Sequence, residues 1–88
     1  MRLVFDIESN GLLDATKIHS LCLYDLDSGK TYSCTDNAYK GAYKLQYGLE
    51  LLSQADMIIG HNIICFDIPL IRKLYPEWSS RATIRDTL

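Results

Sequence analysis

Hydrophobic and polar positions change period several times along this chain, and each change predicts an element. Arg2 to Ile7 is a short apolar run, partly β-branched and closed by Ser9-Asn10-Gly11, which predicts a buried strand ending in a turn. From Lys17 to Leu26 the run KIHSLCLYDL alternates apolar with polar, and Asp27-Ser28-Gly29-Lys30 supplies a hairpin turn before a third strand, KTYSCT. The first three elements are therefore expected to form an antiparallel meander.

The period then lengthens. Ala42, Leu45, Leu49 and Leu52 recur at three and four residues, which puts them on one helical face, with Asp36 or Asn37 placed to cap it. Asp56 to Gly60 reads as a fourth strand. IPLIRKLY carries Ile68, Ile71 and Leu74 at helical spacing until Pro76 stops it. The last stretch, ATIRDTL, reads as the start of a fifth strand, with Asp86-Thr87 suited to cap a following helix. The expectation is an α/β mixed sheet flanked by helices in the order β-β-β-α-β-α-β, cut short at its C-terminus, an order that resembles the ribonuclease H-like fold.

Length and composition narrow the class. The 88 residues make one domain or part of one, and 48% hydrophobic against 23% charged residues is the balance of a folding globular chain. No apolar run approaches the roughly 20 residues that cross a bilayer, and the start lacks a secretory leader, so a cytoplasmic protein with no membrane partner is expected. Cys22, Cys34 and Cys65 are odd in number, sit in apolar contexts and form no CxxC pair, so they read as buried hydrophobes in a reducing compartment. The net charge of -2 argues against a broad basic nucleic-acid surface; a polyanion would need its phosphates neutralised by metal ions held on carboxylates.

The carboxylates with that capacity are Asp6 and Glu8, in VFDIESNG. Residues two apart on a strand share a face at about 6.6 to 6.8 Å, so a divalent cation between them would relieve their repulsion, and oxygen ligands suit Mg²⁺ or Mn²⁺. A solvated strand end with loosely paired acids is the plainer alternative. A second segment, GHNIICFDIP, places Asp67 after another apolar strand, and two parallel strands would bring these acids to one sheet edge, where open α/β sheets bind ligands. Asp67 ahead of Ile-Pro also reads as a helix N-cap.

VFDIESNGLL and HNIICFDIPLI resemble the first and second motifs of the DEDD 3′→5′ exonucleases that proofread for DNA polymerases. The pattern His-Asn, three residues, aromatic-Asp, one residue, Pro is shared by family B and phage family A proofreading domains, and DIESNGLLDATKIHSLCLYD is most similar to the phage family A type. IRDTL resembles a segment that follows the second motif there. The similarity spans nearly all of the chain but only about the first half of the family's domain, so it implies that residues 1–88 are the N-terminal part of an exonuclease domain. It implies that Asp6 bridges two Mg²⁺ (or Mn²⁺) ions, that Glu8 helps hold the first and that Asp67 holds the second directly or through water. Leu12 matches an apolar wedge between the last bases, and Asn62 and Phe66 match positions near the terminal nucleotide. His61, beside the site, is a candidate for positioning substrate. The implied partners are the 3′ end of single-stranded or frayed DNA and a polymerase domain in the same or a partner chain.

The family's third motif, Tyr or His followed by a fourth carboxylate on a later helix, has no counterpart in these residues. Tyr32-Ser-Cys-Thr-Asp36 has the spacing, but it precedes the second motif and lies on a strand and turn, so it reads as structural. After Asp67 the acids are Glu77 and Asp86, and Asp86 reads as a cap or local hydrogen-bond acceptor. Tyr39, Tyr43 and Tyr47 beside Lys40 and Lys44 read as a helix face, partly packed and partly solvated, before a base-stacking platform. His19 reads as a hydrogen-bonded structural residue and Trp78 as a hydrophobic lid. Two other readings stand beside a weak or inactive exonuclease fragment: a non-catalytic piece that binds metal or completes its site with another polypeptide, and a DEDD ribonuclease.

Overall fold

The computed structural model describes residues 1–11, 14–36 and 41–88. Strands β1 (Arg2–Ser9), β2 (Ile18–Asp25), β3 (Thr31–Cys34), β4 (Met57–Gly60) and β5 (Thr83–Asp86) form one sheet in the order β3-β2-β1-β4-β5. The first three make the expected antiparallel meander, while β4 runs parallel to β1 and β5 parallel to β4. Helix α1 (Leu45–Gln54) joins β3 to β4, and α2 (Ile68–Leu74) joins β4 to β5.

Alternation on β1 decides which side is covered. Leu3, Phe5 and Ile7 are buried with Leu21 and Leu23 of β2, and Leu45, Leu49 and Leu52 of α1 and Ile68, Leu70 and Ile71 of α2 join the same core. Side chains at the intervening positions, Asp6, Glu8, Cys22 and Tyr24, are exposed on the opposite face. Only one of the three cysteines therefore fits the expectation of burial: Cys34 is buried, but Cys22 and Cys65 are exposed.

The meander is fixed by its turns. Asp25 accepts the Gly29 amide through its carbonyl at 2.8 Å, and its carboxylate takes the Asp27 amide and the Ser28 hydroxyl, each at 2.9 Å. Gly29 has φ +75°, the left-handed region this turn requires. The Arg2 guanidinium and amide both donate to the Asp27 carboxylate, tying the turn to the start of β1.

Helix α1 starts later than its periodicity suggests. Tyr43 exchanges backbone hydrogen bonds with Ser33 and Thr35 at 2.9 and 2.8 Å, so the chain at Ala42 and Tyr43 is held against β3 and helical geometry begins at Leu45. Asp36 does serve the helix entrance, accepting the Leu45 amide at 3.3 Å, though from nine residues away rather than as the adjacent cap; Asn37 lies outside the described residues. Gly48 brings α1 close to the sheet, since a Cβ there would stand 2.8 Å from both Cys34 Sγ and Leu21 Cδ2.

At its other end α1 has no glycine cap, yet its last four carbonyls are all satisfied. The Ala55 amide takes Leu51 O at 3.0 Å and the Arg81 amide takes Ser53 O at 3.4 Å. The Ser80 hydroxyl takes Leu52 O at 2.7 Å, and Arg81 Nε takes Gln54 O at 3.2 Å. Of the groups a helix leaves open at its exit, those of Leu52, Ser53 and Gln54 are thus closed by the segment leading into β5.

The tyrosines form a packed group. Tyr43 and Tyr47 stack at 5.0 Å and 15°, Tyr32 tilts against both, and Lys30 Nζ lies 4.9 Å from the Tyr32 ring centre. The group is partly packed, but it is not the single helix face expected: Tyr47 lies on α1 while Tyr43 is held against β3; Tyr39 and Lys40 lie outside the described residues. Tyr32 is buried within β3 and Asp36 serves α1, so the Tyr32 to Asp36 spacing is structural. His19 is exposed, and it is its carbonyl that bonds, to the Thr35 hydroxyl at 2.8 Å. Its side chain makes no hydrogen bond among the described residues, contrary to expectation. Trp78 packs on the core edge and donates Nε1–H to Leu49 O at 2.9 Å.

Candidate functional site at the ends of β1 and β4

Strands β1 and β4 are in parallel register from Arg2 opposite Met57 to Val4 opposite Ile59. Beyond that, β4 ends at Gly60 while β1 continues to Ser9, so the last residues of β1 stand free of β4. A register shift at Glu8 and Ser9 loosens the ladder to β2 at the same place. Asp6 and Glu8 project from the exposed face of this extension, as their spacing predicts.

The chain turns sharply after β4. A Cβ on Gly60 would stand 2.3 Å from Ile63 Cγ2 and 3.1 Å from Phe5 O, so no larger residue fits without moving the backbone. Asn62 adopts the left-handed conformation at φ 58°, one that Asn tolerates better than most residues. From Ile63 to Asp67 the chain forms a single wide π-helical turn, closed by the Ile68 amide on Ile63 O, and continues directly into α2. Wide turns of this kind recur at functional sites.

Asp67 lies inside that continuous helical path at φ -61°, ψ -49°, with no capping bond from its side chain. The reading of Asp67 as an N-cap is therefore wrong, because the π-turn ahead of it already carries the helix. Its side chain is buried, with the residue 5% exposed. The carboxyl is pushed up to about 6, first by burial and then by the negative charge of Asp6, while a hydrogen bond from the Ile7 amide acts in the opposite direction. Asp67 and Asp6 thus meet electrostatically at one end of the sheet.

The amides at the start of the turn are held by Asp86. Its carboxylate accepts the Asn62 and Leu88 amides at 2.8 and 2.9 Å through Oδ1 and the Ile64 amide at 3.0 Å through Oδ2. These bonds, those from Ile64 and Leu88 foremost, hold its carboxyl below the usual range. Asp86 is a hydrogen-bond acceptor, as expected, but it serves the π-turn rather than a following helix. His61 is exposed with Nδ1 3.3 Å from Thr87 Oγ1. Phe66 packs partly buried against the core, and Asn62 Oδ1 is buried with no hydrogen-bond partner among the described residues. Leu12 lies outside the described residues.

Three features escape the sequence reading: the π-turn, the close approach at Gly60 and the clamp by Asp86. Glycine directly after the apolar run MII, and an acid closing the neighbouring strand, are the only local signals they leave.

Asp6, Glu8 and Asp67 offer hard oxygen donors of the kind that Mg²⁺ and Mn²⁺ prefer, and the coupled Asp6 and Asp67 charges are what a cation would neutralise. Among the described residues no three His, Cys, Asp or Glu side chains lie close enough together to hold a metal. The three acids share a sheet end without forming a closed cage. No described helix is long and apolar enough to cross a membrane.

A family model of the RNase H superfamily, RNase_H_2, matches residues 3–86. No match was found among curated proteins. The superfamily's members are generally nucleases and typically use divalent metals. With the match running from β1 through β5 and the mixed five-stranded sheet in agreement, the chain belongs to the RNase H superfamily and has an RNase H-like fold to which a nuclease-like function fits.

Proposed function

We propose that these 88 residues are the N-terminal part of a DEDD-type 3′→5′ exonuclease domain of the phage family A proofreading type. The proposed substrate is the 3′ end of single-stranded or frayed DNA, the setting is beside a polymerase domain in a cytoplasm, and the products are nucleoside monophosphates. The observation that carries this reading is the buried Asp67 carboxyl, perturbed by Asp6 at the C-terminal ends of two parallel strands. Strongly shifted carboxyls cluster at functional sites, and open α/β sheets bind ligands at the C-terminal ends of their strands.

In this reading Asp6, Glu8 and Asp67 would hold two Mg²⁺ or Mn²⁺ ions, which when bound supply an activated water and stabilise the oxygens of the displaced phosphodiester. The chain's own contributions are positional. Burial keeps the Asp67 side chain in place, the Ile7 amide orients its carboxylate, and the π-turn that ends in Asp67 also carries Phe66, with Asn62 at its head. The buried Asn62 Oδ1 is an acceptor suited to a hydroxyl of the terminal nucleotide, and Phe66 offers an apolar edge to its sugar or base. His61 stands at the exposed rim, placed to meet a phosphate.

Because the residues lack a counterpart of the third motif, the chain alone is expected to bind Mn²⁺ while releasing little mononucleotide from a 3′-labelled oligonucleotide. Titration of Mn²⁺ followed by paramagnetic resonance tests the first part: binding that survives both Asp6→Asn and Asp67→Asn would overturn the assignment. Comparing DNA with RNA oligonucleotides separates proofreading from ribonuclease activity.

A further inference from the structure

The C-terminal end of α2, away from Asp67, borders a second concavity. Between α1 and the segment Leu74–Ser79 lies a cleft of about 640 Å³ whose walls include Leu49, Glu50, Tyr75, Pro76, Glu77 and Trp78. Its shape is built in. The Trp78 indole is fastened to Leu49 O at 2.9 Å and the Ser80 hydroxyl to Leu52 O at 2.7 Å, so the segment opposite α1 is pinned to that helix.

The chemistry of the walls is one-sided. Two aromatic rings and a proline give apolar wall beside neutral polar side chains such as Gln46 and Ser53, and the charged groups are two exposed carboxylates, Glu50 and Glu77, with no Lys or Arg among the lining residues. Neither glutamate has an ion-pair partner among the described residues; the nearby Arg81 pairs with Asp56 at 3.2 Å. A planar cation satisfies every part of such a site at once, because a guanidinium stacks on aromatic faces and donates paired hydrogen bonds to carboxylates. A nucleic-acid strand would meet two like charges here and no counter-charge.

We propose that this cleft docks an arginine-bearing basic segment of a partner protein. The cleft is separate from the acids at the ends of β1 and β4, so the proposal does not depend on the nuclease reading.

Trp78 is the only tryptophan in the chain, which makes its emission and its indole N–H resonance reporters of the cleft. The full chain is titrated with a capped Gly-Arg-Gly-Arg-Gly peptide, with the same peptide bearing neutral citrulline for arginine, and with an oligothymidine. Saturable shifts are expected with a Kd of about 1 mM or tighter for the arginine peptide. Binding should be at least about tenfold weaker for the citrulline peptide and for the Glu50→Gln/Glu77→Gln double variant. Both glutamates are exposed, so the double variant is expected to keep the wild-type circular dichroism, and Asp6→Ala should bind the peptide as wild type does. Equal affinity for citrulline, undiminished affinity in the double variant, tighter binding of oligothymidine, or no change in either Trp78 signal up to about 10 mM peptide would overturn the proposal.

Discussion

The Asp86 carboxylate accepts the backbone amide of Asn62 at 2.8 Å across 24 positions of sequence, joining the end of β5 to the turn that carries Asp67. Asp86→Ala leaves the Asn62 and Ile64 amides without that acceptor and is expected to lower the urea midpoint. Amide exchange at Asn62 and Ile64 should quicken more than exchange in β2. Since its carboxyl is held below the usual range, the contribution of Asp86 is present above the unfolded value and is lost as the pH falls through its lowered folded value. Unchanged exchange at both amides would show that the clamp does not hold the turn.

The shifted carboxyl of Asp67 has the opposite sign. Its folded value of about 6 lies above the ordinary 3.8, so between these values the folded chain binds more protons than the unfolded one and stability falls as pH rises. Chemical denaturation should show a loss on the order of 2 kcal/mol across that window. Asp67→Asn, which retains an oxygen for the Ile7 amide, should flatten the slope and stabilise the chain near pH 7. Carbon-detected titration of Asp67 should find its value lowered by Asp6→Asn, because the charge that raises it is gone.

Gly60 permits the close approach of β4 to the π-turn. In Gly60→Ala the new methyl would stand 2.3 Å from Ile63 Cγ2 and 3.1 Å from Phe5 O, and the carbonyl cannot rotate away as a side chain can. A loss of about 1–3 kcal/mol is expected, with chemical-shift changes concentrated at Ile63 and Asp67. Stability equal to wild type would mean that the junction has slack this geometry does not show.

Ser80→Ala removes the hydroxyl that closes Leu52 O and that also accepts the Ala82 amide at 3.1 Å. The expected cost is about 1 kcal/mol, the usual net worth of an intramolecular hydrogen bond. Differential scanning calorimetry, read together with Gln54 amide exchange, checks it.

Local signals in the sequence carried most of the sheet. Alternation fixed the buried face of β1, the Asp27 to Lys30 turn fixed the meander, and apolar runs bounded by glycine or proline located β4 and α2. What stayed hidden depends on partners distant in sequence. Ala42 has helical spacing, yet Tyr43 is drawn into backbone bonds with Ser33 and Thr35, which no local pattern announces. Asp67 ahead of Ile-Pro has every mark of a cap, but Asp86, brought alongside by β5, already takes the amides that begin the turn. At the site, spacing alone put Asp6 and Glu8 on one face, and the RNase H-like order brought Asp67 to the same end. The conformation of the π-turn that buries Asp67 depends on Asp86, distant in sequence, and leaves no local pattern.

The closure of α1 by Ser80 and Arg81 also bears on how the molecule opens. A helix whose exit is sealed by the approach to the last strand does not fray independently of it. Global fluctuations that peel away the sheet margin must release both together, as one cooperative block.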